Sequence, residues 1–192
     1  MPPASRPAIP ALLAALLLAT TACDASAPRA EAAAPPPQPA SHRIAVQPAP
    51  TAGPNAVRSL LDVDQKMQFG DYVWDEAGVP PGPIWVRVDL SRQLISVFRG
   101  GHEIGTAVIL YGGDGKETPL GDFPILQKAA DYHSRTYDAA MPFMLRLTAD
   151  GVAIHASNVR EGWATHGCVG VPLDFARRLF AAVKVGDRVT IV

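Results

Sequence analysis

The chain has 192 residues, enough for one domain with appendages, and its 17 basic and 18 acidic side chains leave a net charge of −1. This balance disfavours a nucleic-acid partner, since such binders carry a strongly basic stripe. The two cysteines, Cys23 and Cys168, are too few for a disulfide framework, so each needs its own explanation.

Residues 1–22 are predicted to be an export signal. Arg6 provides a positive start, and residues 9–19 form an apolar run that is shorter than the roughly 20 residues needed to span a bilayer. The following Thr-Thr-Ala-Cys resembles a bacterial lipobox, although Thr20 stands where that pattern prefers leucine. We therefore expect a periplasmic protein anchored to the membrane through a lipid on Cys23; the alternative is a cleaved signal peptide with an incidental cysteine.

The next segment, residues 23–57, is rich in alanine and proline and is interpreted as a semi-rigid tether. Twelve of the 19 prolines lie before residue 58, and such a composition buries too little apolar surface to fold. His42 lies in this segment and is expected to be solvated. Residues 58–82 are interpreted as a lead-in, with a short helix predicted over 58–70 whose inner face carries Leu60, Leu61 and Met67.

From residue 83 onward the pattern changes to alternating apolar and polar residues, which predicts β-strands. Strands are expected within residues 84–90, 93–101, 103–113, 121–129, 142–148, 151–157 and 185–192. Residues 131–138 are interpreted as a flap-like insertion. The one helix expected in this half covers residues 173–183, where apolar side chains recur at helical spacing. The predicted fold of residues 83–192 is therefore mostly β with one packed helix.

The stretch that carries chemistry surrounds Cys168. A lone cysteine is more often a buried structural residue, but Cys168 follows Thr165, His166 and Gly167 and precedes the predicted helix. A helix start and a nearby histidine both lower a thiol pKa, so we predict a nucleophilic thiolate supported by Thr165. Either His155 or His166 is placed to act as its base, and the residues alone do not decide between them.

These elements together resemble the YkuD-type L,D-transpeptidases. The resemblance rests on Ile154-His155, on Thr-His-Gly-Cys at residues 165–168, on Thr-Pro-Leu-Gly-Asp-Phe at residues 118–123, and on the strands from residue 84 onward. It covers about residues 83–192 and implies the β-sandwich catalytic domain of that family.

The resemblance also implies a mechanism. Cys168 would attack a carbonyl of a peptidoglycan stem peptide and form a thioester, with His155 as the general base oriented by the backbone carbonyl of Ala156. His166 and the backbone N–H groups around Gly167 would form the oxyanion site. An acceptor amine, typically of meso-diaminopimelate, would then form a cross-link. No metal or organic cofactor is implied.

Two departures from the family pattern bear on substrate recognition. Gly170 stands where the family usually carries Arg or Asn, and the loop between His155 and Thr165 is shorter than is common. Arg160 and Trp163 in that loop are candidate substrate-binding residues, and Arg146 is a further candidate for a stem-peptide carboxylate.

Three alternatives stay open. Water could hydrolyse the same thioester, giving an L,D-carboxypeptidase or endopeptidase. The chain could be a non-catalytic wall-binding lipoprotein, or Cys168, His155 and His166 could hold zinc.

Overall fold

The computed structural model describes residues 41–46, 55–113 and 115–192, so the predicted export signal and the lipidation candidate Cys23 lie outside the described residues. Within them the chain forms fourteen strands and one helix. In chain order these are β1 (Ser41–Ala45), β2 (Ser59–Val63), β3 (Tyr72–Trp74), β4 (Ile84–Asp89), β5 (Leu94–Arg99), β6 (His102–Val108), β7 (Gly121–Pro124), β8 (Gln127–Ala129), β9 (His133–Ser134), β10 (Ala139–Ala140), β11 (Met144–Arg146), β12 (Ala153–Ala156), β13 (Val169–Val171), α1 (Leu173–Ala182) and β14 (Arg188–Ile191). No helix among these described residues has the length and apolar character needed to cross a bilayer.

The strands form two mixed sheets and one short hairpin. The larger sheet has the order β1-β2-β6-β5-β4-β14-β7, with β3 also paired to β6, and the smaller sheet has the order β13-β12-β11-β8. β12 and β13 run parallel, while β11 is antiparallel to both β12 and β8. β9 and β10 pair only with each other. This arrangement confirms the mostly β fold predicted from the sequence.

One apolar core joins both sheets and the helix. The alternating residues of β4 and β5, Val86, Val88, Ile95 and Val97, are fully buried and pack in the same cluster as residues of β12, β13 and α1. The predicted helix is present as α1, and its inner face buries Phe175, Ala176 and Leu179. The periodicity of the sequence therefore placed these core elements correctly.

The helix predicted over residues 58–70 is wrong. Residues 59–63 form β2, in which Leu61 is buried and Leu60 is exposed, so the burial follows a period of two. Met67 lies in the segment after the strand. A long-range contact decides the structure of this segment: β2 pairs with β6, which lies some 40 residues further along the chain. This pairing overrides the local helix propensity.

Residues 41–45, which the sequence analysis assigned to the tether, form β1. This strand is antiparallel to β2, and Arg43 fixes it by donating hydrogen bonds to the backbone carbonyls of Glu103 and Asp75, the latter at 2.9 Å. His42 is exposed, as expected. The sheet therefore begins before the predicted lead-in.

Candidate active site

Cys168 lies between a tight turn and the short strand β13. Its side chain is partly buried and packs against a small apolar cluster formed by Met141, Met144 and Ala153. The helix that follows begins at Leu173, as predicted, and the strand β13 lies between Cys168 and that helix.

Burial raises the pKa of the Cys168 thiol, and this effect outweighs the opposing influence of the Ala153 backbone N–H and the Lys116 ammonium. This direction is opposite to the lowered thiol pKa that the sequence motif led us to expect. The Cys168 Sγ lies 3.9 Å from the carbonyl oxygen of Gly151. Nucleophilic attack by this thiol consequently requires a base.

His155 lies on β12 and is buried. Its Nδ1 is 2.8 Å from the carbonyl oxygen of Ala156, the predicted hydrogen bond. Because a carbonyl only accepts, Nδ1 carries the proton and Nε2 keeps a free lone pair. Burial lowers the pKa of His155, although the bond to Ala156 opposes this, so the ring is neutral at physiological pH and able to accept a proton.

The two groups meet in one cavity. A space of about 160 Å³ is lined by Cys168, His155, His166 and Thr165, and by residues of the β9–β10 region, including Tyr137. The exposed His166 ring stacks on Tyr137 with 4.8 Å between ring centroids. The structure thus brings together all the side chains for which the sequence predicted a catalytic or supporting role.

The turn before Cys168 is held by Thr118, the first residue of the Thr-Pro-Leu-Gly-Asp-Phe segment, to which the sequence analysis gave no role in the site. Thr118 is buried, and its hydroxyl donates to the carbonyl of Gly167 at 3.1 Å while accepting the N–H of Gly112 at 2.8 Å. Gly167 itself has φ +96°, a conformation that favours glycine. The signal for this role was the place of Thr118 in the family's Thr-Pro segment.

Three larger cavities, of about 620, 600 and 360 Å³, are lined by neither Cys168 nor His155, so size alone does not identify the site. In the part of the chain that the structure describes, no group of three or more His, Cys, Asp or Glu side chains is placed to hold a metal ion.

Comparison with known proteins decides the family. The model of the L,D-transpeptidase catalytic domain, YkuD, matches residues 83–191, more than half of the chain. The chain belongs to the L,D-transpeptidase family.

L,D-transpeptidase 1 of Mycobacterium tuberculosis is 29% identical over 120 residues, which cover 54% of this chain and 48% of that protein. The chain thus spans about half the length of the curated relatives it matches. Among solved structures, an L,D-transpeptidase from Stackebrandtia nassauensis is 25% identical with a TM-score of 0.54, over 59% of this chain and 57% of that one. The LD transpeptidase LdtMt1 in complex with imipenem is 25% identical with a TM-score of 0.52, over 57% and 58% of the two chains.

The presence of glycine at position 170, where the sequence resemblance led us to expect Arg or Asn, has a steric explanation. It is buried, lies opposite His155 in the β12–β13 ladder, and exchanges two 2.9 Å backbone hydrogen bonds with Leu110. A Cβ at this position would lie 2.8 Å from the Cβ of Ser157 and 2.9 Å from its Oγ. The strand therefore has no room at this position for the Arg or Asn side chain that the sequence resemblance led us to expect.

The predicted substrate-binding residues Arg160 and Trp163 line neither cavity that contains Cys168. The Arg160 Nε donates to Asn158 at 3.0 Å, its guanidinium lies 5.9 Å from the Trp163 ring, and Trp163 is 58% exposed. Arg146 and Lys116, in contrast, line a second cavity of about 180 Å³ that also contains Cys168. Lys116 was not identified from the sequence, because only the folded loop brings it to the site.

Proposed function

We propose that this chain is a peptidoglycan L,D-transpeptidase that works through a thioester on Cys168. The observation that carries the proposal is the shared cavity of Cys168 and His155, in which the Ala156 carbonyl fixes the histidine with Nε2 free. Peptidoglycan stem peptides are the substrates, since L,D-transpeptidases act on them.

In the first half-reaction, Cys168 Sγ attacks the carbonyl carbon of a donor peptide bond and its proton passes to His155 Nε2. The tetrahedral intermediate collapses, the C–N bond breaks, and His155 returns the proton to the departing amine. The acyl group remains on Cys168 as a thioester. A positioned acid–base group of this kind contributes roughly 10²–10⁴-fold to the rate.

In the second half-reaction, an acceptor amine attacks the thioester carbonyl and loses a proton to His155. The C–S bond breaks, the sulfur takes the proton back, and a new amide links two stem peptides. If water attacks instead, the same thioester yields a shortened peptide and no cross-link. Transfer and hydrolysis therefore differ only in which nucleophile enters.

The negative oxygen of each tetrahedral intermediate is stabilised by backbone N–H groups at Gly167 and Cys168, with His166 beside them. Two observations support this assignment. The positive φ of Gly167 gives the turn its shape, and the bond from Thr118 holds that turn in place. Donors fixed before the reaction are worth about 10²–10³-fold in rate at such sites.

The test is incubation of the protein with purified muropeptides, followed by mass spectrometry of the products. We expect cross-linked dimers from the wild type and none from Cys168→Ala. Shortened monomers without dimers would establish hydrolysis in place of transfer. Unchanged muropeptides from a folded wild type would refute both enzymatic functions and favour a non-catalytic wall-binding protein.

We also propose that the protein is exported and anchored through a lipid on Cys23. The support is the sequence alone: an apolar run of signal-peptide length followed by Thr-Thr-Ala-Cys. Cys23→Ser should move the protein from the membrane fraction to the soluble periplasmic fraction. A wild type that is soluble after export would contradict the lipid anchor.

A further inference from the structure

A cavity of about 620 Å³, here called the outer cavity, lies on the face of the larger sheet that points away from the shared core. The residues of β5 and β6 that form its floor are Leu94, Ser96, Glu103, Thr106 and Val108. Side chains alternate between the two faces of a strand, and the neighbouring Ile95 and Ala107 are buried in the core. The outer cavity shares no lining residue with either cavity that contains Cys168.

The roof of the outer cavity comes from the segment that precedes the family match. β2 pairs with β6 only at Ser59, opposite His102, because β3 occupies the same edge of β6 at residues 105–107. After Ser59 the chain therefore leaves the sheet, and residues of the following segment complete the lining. The apolar members of this roof are Leu60, Leu61, Val63, Met67 and Phe69.

A buried carboxyl group lines the outer cavity. Glu103 is only 5% exposed, its Oε2 accepts the Leu61 N–H at 2.9 Å, and the Ser96 hydroxyl also bonds to the carboxyl group. Arg43 acts on this carboxyl group electrostatically, but its guanidinium donates to the backbone carbonyls of Glu103 and Asp75 and lies 3.9 Å from the Asp75 carboxylate. In the part of the chain that the structure describes, no Lys or Arg nitrogen lies within 4 Å of the Glu103 carboxylate.

A carboxylate that is buried without a cation beside it opposes folding, and burial accordingly raises the pKa of Glu103. The proposed acyl transfer makes no use of this group. An ionised carboxyl group offers about four acceptor positions, so two donors from the protein leave positions for a ligand. An ammonium group would supply the missing positive charge in surroundings where the low dielectric strengthens the contact.

Two cations also line the outer cavity, but at its exposed rim. Lys66 and Arg92 are both exposed, and the Arg92 Nε lies 3.9 Å from the Asp89 carboxylate. An anionic ligand would reach these solvated charges only by laying its apolar part against the Glu103 carboxyl group. The lining therefore favours a positive group at the floor over a negative group at the rim.

We propose that the outer cavity binds a small amphiphile whose primary ammonium group pairs with Glu103 and whose apolar part packs against Leu61, Met67 and Phe69. The volume of the cavity lies in the range of about 300–1,000 Å³ that is typical of small-molecule sites. The site is separate from Cys168, so this inference and the proposed transpeptidase function stand or fall independently.

The experiment is a titration of the protein with three probes of equal chain length, n-hexylammonium, n-hexanol and n-hexanoate, followed by NMR. The Leu61 amide signal reports the site directly, because its N–H donates to Glu103. We expect hexylammonium to bind about tenfold or more tightly than hexanol or hexanoate, as a charge-assisted hydrogen bond predicts. In Glu103→Gln, which keeps an acceptor for the Leu61 N–H, hexylammonium and hexanol should bind within about threefold of each other.

Glu161→Gln is the matched control, because it removes an exposed carboxylate that does not line the outer cavity. It should keep the full preference for hexylammonium. Leu94→Trp leaves Glu103 in place and fills the cavity with the larger side chain, so it should weaken the binding of hexylammonium. Imipenem acylation of Cys168 at the wild-type rate checks that each variant is folded.

Four outcomes would each overturn the inference. They are the absence of binding by any probe, equal or tighter binding of hexanol or hexanoate by the wild type, an undiminished preference for hexylammonium in Glu103→Gln or Leu94→Trp, and loss of that preference in Glu161→Gln. None of these outcomes bears on acyl transfer, since the muropeptide assay tests that function at a different site.

Discussion

Replacing Gly170 by alanine should destabilise the protein and disturb the active site together. The new Cβ would lie 2.8 Å from the Ser157 Cβ and 2.9 Å from its Oγ, closer than packed atoms tolerate. Gly170 is buried and bonded to Leu110 on one side and paired with His155 on the other, so the strand cannot move outward freely. Overpacking of this kind costs about 1–3 kcal/mol.

The assay is equilibrium unfolding in urea, where a slope of about 2 kcal/mol per M converts that cost into a midpoint lower by roughly 0.5–1.5 M. The matched background is Ser157→Gly, which removes both clashing atoms and leaves only the Leu110 Cβ at 3.4 Å, an acceptable contact. In that background Gly170→Ala should cost close to nothing. Equal costs in the two backgrounds would refute the steric explanation for Gly170, since coupled neighbours depart from additivity.

Three further changes have defined outcomes. The rate at which imipenem acylates Cys168 should increase with pH through a step below about pH 6.5 and then level off, because burial lowers the pKa of His155. In His155→Ala that step should vanish, and the rate should increase only as the thiol ionises. A step that survives in the variant would contradict the assignment of His155 as the base. Lys128→Met should lower the free energy of unfolding by about 1–3 kcal/mol. The Lys128 ammonium donates to two backbone carbonyls at the end of α1, that of Phe180 at 2.6 Å and that of Val183. An unchanged urea midpoint in the variant would contradict this capping role. Burial raises the pKa of Glu103, so the stability contributed by this carboxyl is full below about pH 4.3 and declines as pH rises through its folded-state pKa. In urea unfolding, Glu103→Gln should therefore gain stability relative to the wild type between pH 4 and pH 7. A difference in unfolding free energy that stays constant with pH would show that the Glu103 charge is not the cause.

The sequence predicted the features that depend on local pattern. The alternation in β4 and β5 and the helical spacing in α1 follow from which residues face the core, and the structure buries them accordingly. The resemblance to the L,D-transpeptidases, rather than local pattern, implied that His155 and the side chains of the Thr-His-Gly-Cys motif share a site and that His155 bonds to Ala156. The strand and helix predictions succeed because neighbouring residues largely determine them.

The features that the sequence missed depend on contacts between distant segments. β2 is a strand because β1 and β6 flank it, which no local propensity encodes. The Cys168 pKa is raised rather than lowered because burial among apolar side chains outweighs the local cues. Lys116 reaches the cavity of the thiol only through the folded loop. The tertiary fold, not the local sequence, places Arg146 rather than Arg160 in the lining of a cavity that contains Cys168.

Intact-protein mass spectrometry after incubation with imipenem tests the central claim most directly. The claim is that the Cys168 thiol, with His155 as its base, attacks an acyl carbonyl and keeps the acyl group as a thioester. We expect one covalent adduct on the wild type, mapped by peptide fragmentation to Cys168, and none on folded Cys168→Ala. An unmodified wild type, or an equal adduct on Cys168→Ala, would contradict the assignment of Cys168 as the nucleophile.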